Sequence, residues 1–400
     1  MSDSETVGSL IEQQDLDRRE FLRFCTSVAA LFALPVTAAP ALAEKLEKAQ
    51  RPPVIWLSFQ ECTGCTESLT RAFAPTIEDL LFNFLSLDYH HTLQTVSGEA
   101  AEAARLQTMK DHHGAYLLIV EGSVPTKLDG ACSTVAGMSN LEMLRETIEG
   151  ASAVLAMGSC ASYGGLAKAE PNPTGAMGVG ELMTAGRIAE KPLVNIPGCP
   201  PMPVAISGVL AYYLAFKKLP PVDEQQRPRA FYHQTVHEQC YRYHFFVEGK
   251  FAESFDDEGA RKGWCLYKLG CRGPVTHNAC AKFKWNSGTS FPIESGHPCI
   301  GCSEPGFWDN GSFYEKLDEK TMAAVPAETG SRDLHEAGRA IYEENCVYCH
   351  SANPNDLRTE PEAVNDLLKA WNIAAHRRFE FTGEQLDELQ AYLEQKAKEQ

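Results

Sequence analysis

Four short, nearly unbroken apolar runs mark the first half of the chain, and each leads straight into a loop. They lie in PVIWLSFQECTGCT (53–66), GAYLLIVEGSVP (114–125), ASAVLAMGSCASYGG (151–165) and KPLVNIPGCPP (191–201). Apolar runs without alternation mark strands covered on both faces, the habit of a parallel sheet. Helical patterns separate them. SNLEMLRETIEG opens on a capping-box pair, Ser139 and Glu142, and stops at Gly150, while PVAISGVLAYYLAFKK (203–218) forms another helix. Strand–helix alternation predicts a doubly wound α/β domain over about 53–220. Ligands of such sheets gather beyond the carboxyl ends of the strands. Cys62, Cys65, Cys160 and Cys199 each follow a predicted strand end.

From 221 to 318 the periodicity fades and proline, glycine and aromatic residues become frequent. This stretch nevertheless holds His237, Cys240, Cys265, Cys271, Cys280, Cys299 and Cys302. Metal clusters serving as its core would explain how it folds. EKTMAAVPAETGSR (319–332) reads as a linker to a small all-α unit, 333–400. There LHEAGRAIYEENCVYCH is one helix. TGEQLDELQAYLEQ is a second, with Thr382 and Gln385 as a capping box and Leu386, Leu389 and Leu393 along one face.

Residues 1–43 read as an export signal. Arg18 and Arg19 stand before an apolar stretch that ends in Ala41-Leu42-Ala43, a small-residue cleavage pattern. The alternative is a membrane anchor; Pro35, Pro40 and the A-x-A ending favour cleavage. A twin-arginine signal places the protein in the periplasm or on the outer face of the cytoplasmic membrane. No later window is apolar enough to span a bilayer. Length and the 44 % hydrophobic and 22 % charged content are ordinary for a folded protein of two or three domains. The net charge of −17 argues against nucleic acid as a partner.

Fourteen cysteines in an exported chain raise the question of disulfides, but their spacing is that of metal ligands. Cys62-x-x-Cys65, Cys160 and Cys199 make a four-thiolate set, which suits a 4Fe–4S cluster or zinc. His237-x-x-Cys240, Cys265 and Cys271 make a second set, with one imidazole. Cys280 and Cys299-x-x-Cys302 offer three thiolates, fitting a 3Fe–4S cluster. NCVYCHSANP (345–354) carries Cys346, Cys349 and His350 in the attachment pattern of haem c, for which a zinc knuckle is the rival.

The chain resembles the small subunit of a nickel–iron hydrogenase. The resemblance rests on ECTGCTES (61–68), VEGSVP (120–125), GSCASYGG (158–165), PGCPP (197–201), VHEQC (236–240), GCRGP (270–274), HNAC (277–280) and FPIESGHPCIGCSEPGFWD (291–309), and spans about 53–315. It implies a flavodoxin-like domain followed by an irregular cluster-binding domain. It also implies a separate large subunit, which carries the nickel–iron site; this chain lacks the paired motifs that hold nickel. By resemblance Cys62, Cys65, Cys160 and Cys199 bind a proximal 4Fe–4S cluster, and His237, Cys240, Cys265 and Cys271 a distal one. Cys280, Cys299 and Cys302 bind a medial cluster, where Pro292 replaces a fourth ligand. Gly64 and Gly165 stand where oxygen-tolerant relatives have extra cysteines, so an ordinary proximal cluster and oxygen sensitivity are expected. Glu61 is a candidate proton-path residue or a hydrogen-bonded acid at a turn.

Cys132 is expected to be a small buried hydrophobe, and Cys25 to leave with the signal. His90, His91, His112 and His113 are expected to be solvated or capping, and Trp285 and Phe291 to be core around clusters. The haem tail replaces the C-terminal membrane helix of many relatives. No methionine follows Met322, so the sixth haem ligand is expected to be a histidine, with His376 preferred over His335. The expected function is electron transfer from hydrogen, through three clusters and haem c, to a cytochrome. The rivals are an exported zinc- or disulfide-stabilised structural or binding protein, and an electron-transfer subunit of another oxidoreductase.

Overall fold

The computed structural model describes residues 51–316 apart from 73–75, 80–83 and 287, together with 38–48, Phe21, Cys25, Thr26, Ala29, Phe32 and Tyr392. The chain divides into two compact units, residues 1–325 and 326–400. Among the described residues no helix is long and apolar enough to cross a membrane.

Five parallel strands form the main sheet: β1 (Pro53–Ser58), β2 (Ser86–His90), β3 (Tyr116–Glu121), β4 (Ala151–Met157) and β5 (Leu193–Ile196). Their spatial order is 2-1-3-4-5, the flavodoxin-like doubly wound order. β1 and β3 are buried at every position, as their unbroken apolar runs require. Side chains alternate between two cores. Val54, Trp56, Leu117, Ile119, Leu155 and Ile196 pack with helix α7 (Pro203–Phe216) on one face. Ile55, Leu57, Leu118, Val120, Val154 and Ala156 pack on the other with α4 (Asn140–Ile148) and α6 (Val179–Thr184). Each fully buried aliphatic side chain contributes about 1.5–3 kcal/mol.

Helix α7 is apolar nearly all round because it is covered nearly all round. Helix α4 starts where the capping pair predicts: Ser139 Oγ accepts from Glu142 N at 3.2 Å. Helix α1 (Ala38–Glu47) and the described positions Phe21 and Cys25, within the predicted signal, join the α7 face of the core.

The carboxyl ends of the strands are in register, pairing Ser58 with Glu121, Glu121 with Met157 and Met157 with Ile196. Beyond that line the chain stays tied: Phe59 N donates to Glu121 O (2.9 Å), and Gln60 and Ser123 exchange backbone bonds of 3.1 and 3.0 Å. Gly122 makes this approach possible, since with φ +88° a Cβ there would lie 2.7 Å from Gln60 O. After Phe216 regular structure nearly stops. Residues 221–316 hold short helical turns such as Tyr243–Val247 and Cys280–Phe283, and isolated bridges such as Thr235–His277 and Phe251–Cys265.

Candidate metal centres

The aligned strand ends deliver the first cysteine set to one edge of the sheet. Cys62 and Cys65 stand on the turn into α2 (Gly64–Leu69), Cys160 lies in α5 (Gly158–Tyr163), and Cys199 follows β5. None of the four is in a disulfide. Burial, then the charges of Glu121, Cys160, Cys199 and Cys62, push Cys65 well above its ordinary pKa. Burial and the neighbouring thiolates take Cys160 to about 12 and Cys199 to about 11. The space between them is kept clear of side chains. A Cβ on Gly158 would lie 2.4 Å from Cys65 Sγ, and one on Gly165 would lie 2.4 Å from Cys160 Sγ.

Glu121, for which the sequence held no expectation, holds this loop. Its carboxylate is 1 % exposed. Oε1 accepts from the backbone N–H of Cys65 (3.0 Å) and Thr66 (3.1 Å), and Oε2 accepts from Trp56 Nε1 (3.0 Å) and Thr66 Oγ1 (2.5 Å). The available signal was an acid closing a fully apolar strand. Thr66 Oγ1 also lies 3.3 Å from His90 Nε2, while His90 Nδ1 accepts from Thr92 N and Leu93 N at 3.0 and 3.2 Å. Two donors on Nδ1 place the ring proton on Nε2. Glu61 is half-buried; burial and the Glu121 charge raise its pKa, against a bond from Thr63 Oγ1 at 3.4 Å.

The second and third sets lie in the irregular region. Cys240, Cys265 and Cys271 are drawn together: burial, with the charges of its partners, raises Cys265 to about 11 and Cys271 to about 12. His237 is lowered to about 4 by burial, its ring packed 4.6 Å from Phe246 and 5.0 Å from Tyr243. Its carbonyl accepts from Cys240 N at 3.1 Å, and its N–H donates to Gly273 O at 3.2 Å, next to Cys271. Cys280, Cys299 and Cys302 form the third set. Burial and one another's charges raise Cys280 well above 9 and Cys302 to about 12; Cys299 reaches about 12 through burial and Cys271.

The sets adjoin in a fixed order. The charge of Cys302 acts on Cys199, and that of Cys271 on Cys299. Ser159 Oγ donates to the Cys302 carbonyl, and Arg272 N donates to Cys299 O at 2.8 Å. Buried thiols that repel one another are poor ligand-free neighbours. They suit a group that draws the protons off and spreads the negative charge. In donor chemistry, thiolates with one imidazole, the sets fit iron–sulfur clusters.

Other expectations fare unevenly. Phe291 is core, and Trp285 packs against that core. Pro292 is exposed between buried Phe291 and Ile293. His112 and His113 are exposed, His112 closing the helix Glu99–Asp111. His90 is not solvated but fully buried, capping a turn from inside, and burial depresses its pKa to about 4. His91 is half-buried, with Nε2 3.0 Å from Tyr89 OH. Cys132 is exposed rather than buried, because it sits on the turn after Lys127–Gly130 with Sγ 3.7 Å from Lys127 O. Arg18, Arg19, His335, Cys346, Cys349, His350 and His376 lie outside the described residues.

Comparison with known proteins decides the family. The uptake hydrogenase small subunit of Azotobacter vinelandii is 46 % identical over 341 residues, covering 85 % of this chain and 92 % of that protein. The chain belongs to the nickel–iron hydrogenase small subunits. As such it functions with a large subunit in a hydrogenase. The hydrogenase-1 small chain of Escherichia coli K12 is 43 % identical, covering 79 % of this chain and 84 % of that one. Residues 232–315, the region from His237 to Cys302, match the family described as the C-terminal part of the NiFe/NiFeSe hydrogenase small subunit. Residues 62–213, from Cys62 past Cys199, match NADH ubiquinone oxidoreductase, 20 Kd subunit. Among solved structures, a reduced, active nickel–iron–selenium hydrogenase from Desulfomicrobium baculatum superposes with a TM-score of 0.63 at 34 % identity, covering 67 % of this chain and all of that one. The actinobacterial-type nickel–iron hydrogenase from Ralstonia eutropha H16 gives 0.61 at 26 %, covering 74 % and 92 %. Small subunits of this family carry iron–sulfur clusters.

Proposed function

We propose that this small subunit is the electron-transfer half of an exported nickel–iron hydrogenase that oxidises hydrogen. Cys62, Cys65, Cys160 and Cys199 would hold a proximal 4Fe–4S cluster. Cys280, Cys299 and Cys302 would hold a medial 3Fe–4S cluster, and His237, Cys240, Cys265 and Cys271 a distal 4Fe–4S cluster. Bound there, the clusters supply one-electron redox chemistry between the large subunit's nickel–iron site and an outside acceptor. The residues themselves hold and insulate. Glu121 fixes the Cys62–Cys65 turn, and the two glycines keep side chains out of the first set.

The observation that carries the reading is the contact between successive sets: Ser159, bonded to Gly198 beside Cys199, donates to the Cys302 carbonyl, and Arg272, next to Cys271, donates its N–H to Cys299 O. A chain of contacts in that order suits a relay. Two further parts rest on the sequence. One is a haem c attached at Cys346 and Cys349, with His350 and His376 as axial ligands, delivering to a cytochrome. The other is twin-arginine export to the periplasm.

The test is iron, acid-labile sulfide and zinc analysis of the purified large–small complex, with visible and electron paramagnetic resonance (EPR) spectra. Iron with sulfide, one three-iron signal and haem absorption are expected. Zinc without sulfide or haem would end the proposal. A haem spectrum that ignores His376→Met but changes in His335→Ala would move the axial ligand to His335.

A further inference from the structure

Four arginines among the described residues are almost wholly buried, none above 5 % exposed: Arg105, Arg227, Arg242 and Arg272. Arg105 is paired with Glu102 (2.9 Å) and Glu146 (3.0 Å). Arg227 is paired with Asp223 (2.7 Å) and Glu304 (3.0 Å). Arg242 has a phenol and a carbonyl, Tyr241 Oη at 2.7 Å and Trp264 O at 2.8 Å, and stands two residues from Cys240. Arg272 is the least satisfied. Nη2 donates to Ser312 O at 3.0 Å, but Nε is buried with no hydrogen-bond partner, and among the described residues the guanidinium makes no ion pair. A buried cation left without an anion is strongly unfavourable. The missing counter-charge must therefore lie in what the protein holds nearby.

The surroundings of Arg272 name that charge. It follows Cys271 directly, and its N–H bonds the carbonyl of Cys299. Its side chain runs along the Cys299–Cys302 loop, where Gly301 makes room: a Cβ at 301 would lie 3.4 Å from Arg272 Cδ. The Cys299 thiolate is the foremost charge favouring the guanidinium, ahead of exposed Glu315, while burial opposes it.

We propose that Arg272 is the counter-cation of the medial cluster and holds its reduction potential up. The proposal rests on Cys280, Cys299 and Cys302 binding that cluster. A cluster ligated by thiolates becomes more negative on reduction, so a fixed neighbouring cation favours the reduced state. Arg272 does not touch the reacting atoms; it acts through the charge it places beside them. Arginine suits this role because it stays charged when buried.

The experiment is an EPR-monitored redox titration of the intact large–small complex, unmodified and as Arg272→Gln, Arg272→Met and Arg272→Lys. In the two neutral variants the oxidised-to-reduced ratio of the medial signal at a fixed potential should rise about tenfold, equivalent to about 59 mV for one electron. Arg272→Lys should stay within about twofold of the unmodified complex, and the proximal potential should not move. The proposal is overturned if the neutral variants titrate like the parent, if the distal potential shifts more than the medial, or if Arg272→Lys falls as far as Arg272→Gln. Loss of the medial signal in both neutral variants would make the residue purely structural and also overturn it. Absence of a three-iron signal from the unmodified complex would instead sink the cluster assignment, a separate and recognisable failure.

Discussion

Residues 53–216 and 221–316 both hold cysteines in place, but by opposite means. The first region does so with a sheet whose central strands are covered on both faces and whose ends are in register. Among its described residues the second adds no strand to the main sheet; it has short turns, Phe231, Tyr232 and Ala279 packed into the α7-side core, an apolar pair in Cys265 and Tyr267, and a small apolar cluster around Val236, Leu266, Leu269 and Phe291. Cys271, a candidate ligand, belongs to that cluster. Metal binding can supply folding free energy where regular structure is sparse. The contrast teaches that the first site is a seat built by a sheet, whereas the other two sets sit on turns between short apolar clusters.

The largest expected effect tests that contrast directly. Stripping iron from the complex should speed proteolysis within 232–316 by about 100-fold or more, the scale of losing ~3 kcal/mol, while 53–216 stays protected. Equal protection of both regions, read by mass spectrometry of the fragments, would erase the distinction. Next comes Glu121→Ala, which strands Trp56 Nε1, the N–H groups of Cys65 and Thr66, and the Thr66 hydroxyl. It should cost about 3–4 kcal/mol and lower Tm by roughly 8 °C or more, with the proximal signal disturbed before the others.

A smaller effect concerns pH. Burial holds His90 at about 4, below the 6.5 of an exposed histidine. Between those values only the unfolded chain takes the proton, so stability falls as pH drops from 6.5 towards 4, by about 2–3 kcal/mol at the lower end. His90→Gln should flatten that part of a denaturation profile; an unchanged slope would rule the assignment out. Ser139→Ala should cost only about 1 kcal/mol, by loss of the α4 cap, and leave every cluster spectrum alone.

Much of the sheet was legible because β1, β3, β4 and β5 are apolar without alternation, and α7 likewise. β2 was not, because it is an edge strand: SLDYH mixes polar with apolar positions and is half-buried at its start. The helix Glu99–Asp111 was missed for a similar reason, as EAAEAARLQTMKD shows no strong apolar face. The cysteine sets were drawn from pair spacing, strand ends and the family resemblance. Their adjacency was not, since it depends on the turns of 221–316, which follow no period. Glu121 escaped notice and His90 was expected to be solvated or capping, because burial reverses the ordinary expectation for an acid and an imidazole, and a lone polar letter does not announce it. Cys132 erred the other way, a small sulfur side chain left on a turn.

Ser159 joins the two regions. Its N–H donates to Gly198 O at 3.0 Å, its hydroxyl accepts from Gly198 N at 2.9 Å, and that hydroxyl donates to the carbonyl of Cys302. A single small side chain thus stitches the Cys160, Cys199 and Cys302 loops together. The amide hydrogens of Ser159 and Gly198 should then exchange with solvent only when the loops after β4 and β5 part from one another. Those two amides become a clock for the opening of the Cys160 and Cys199 loops, readable without observing any metal.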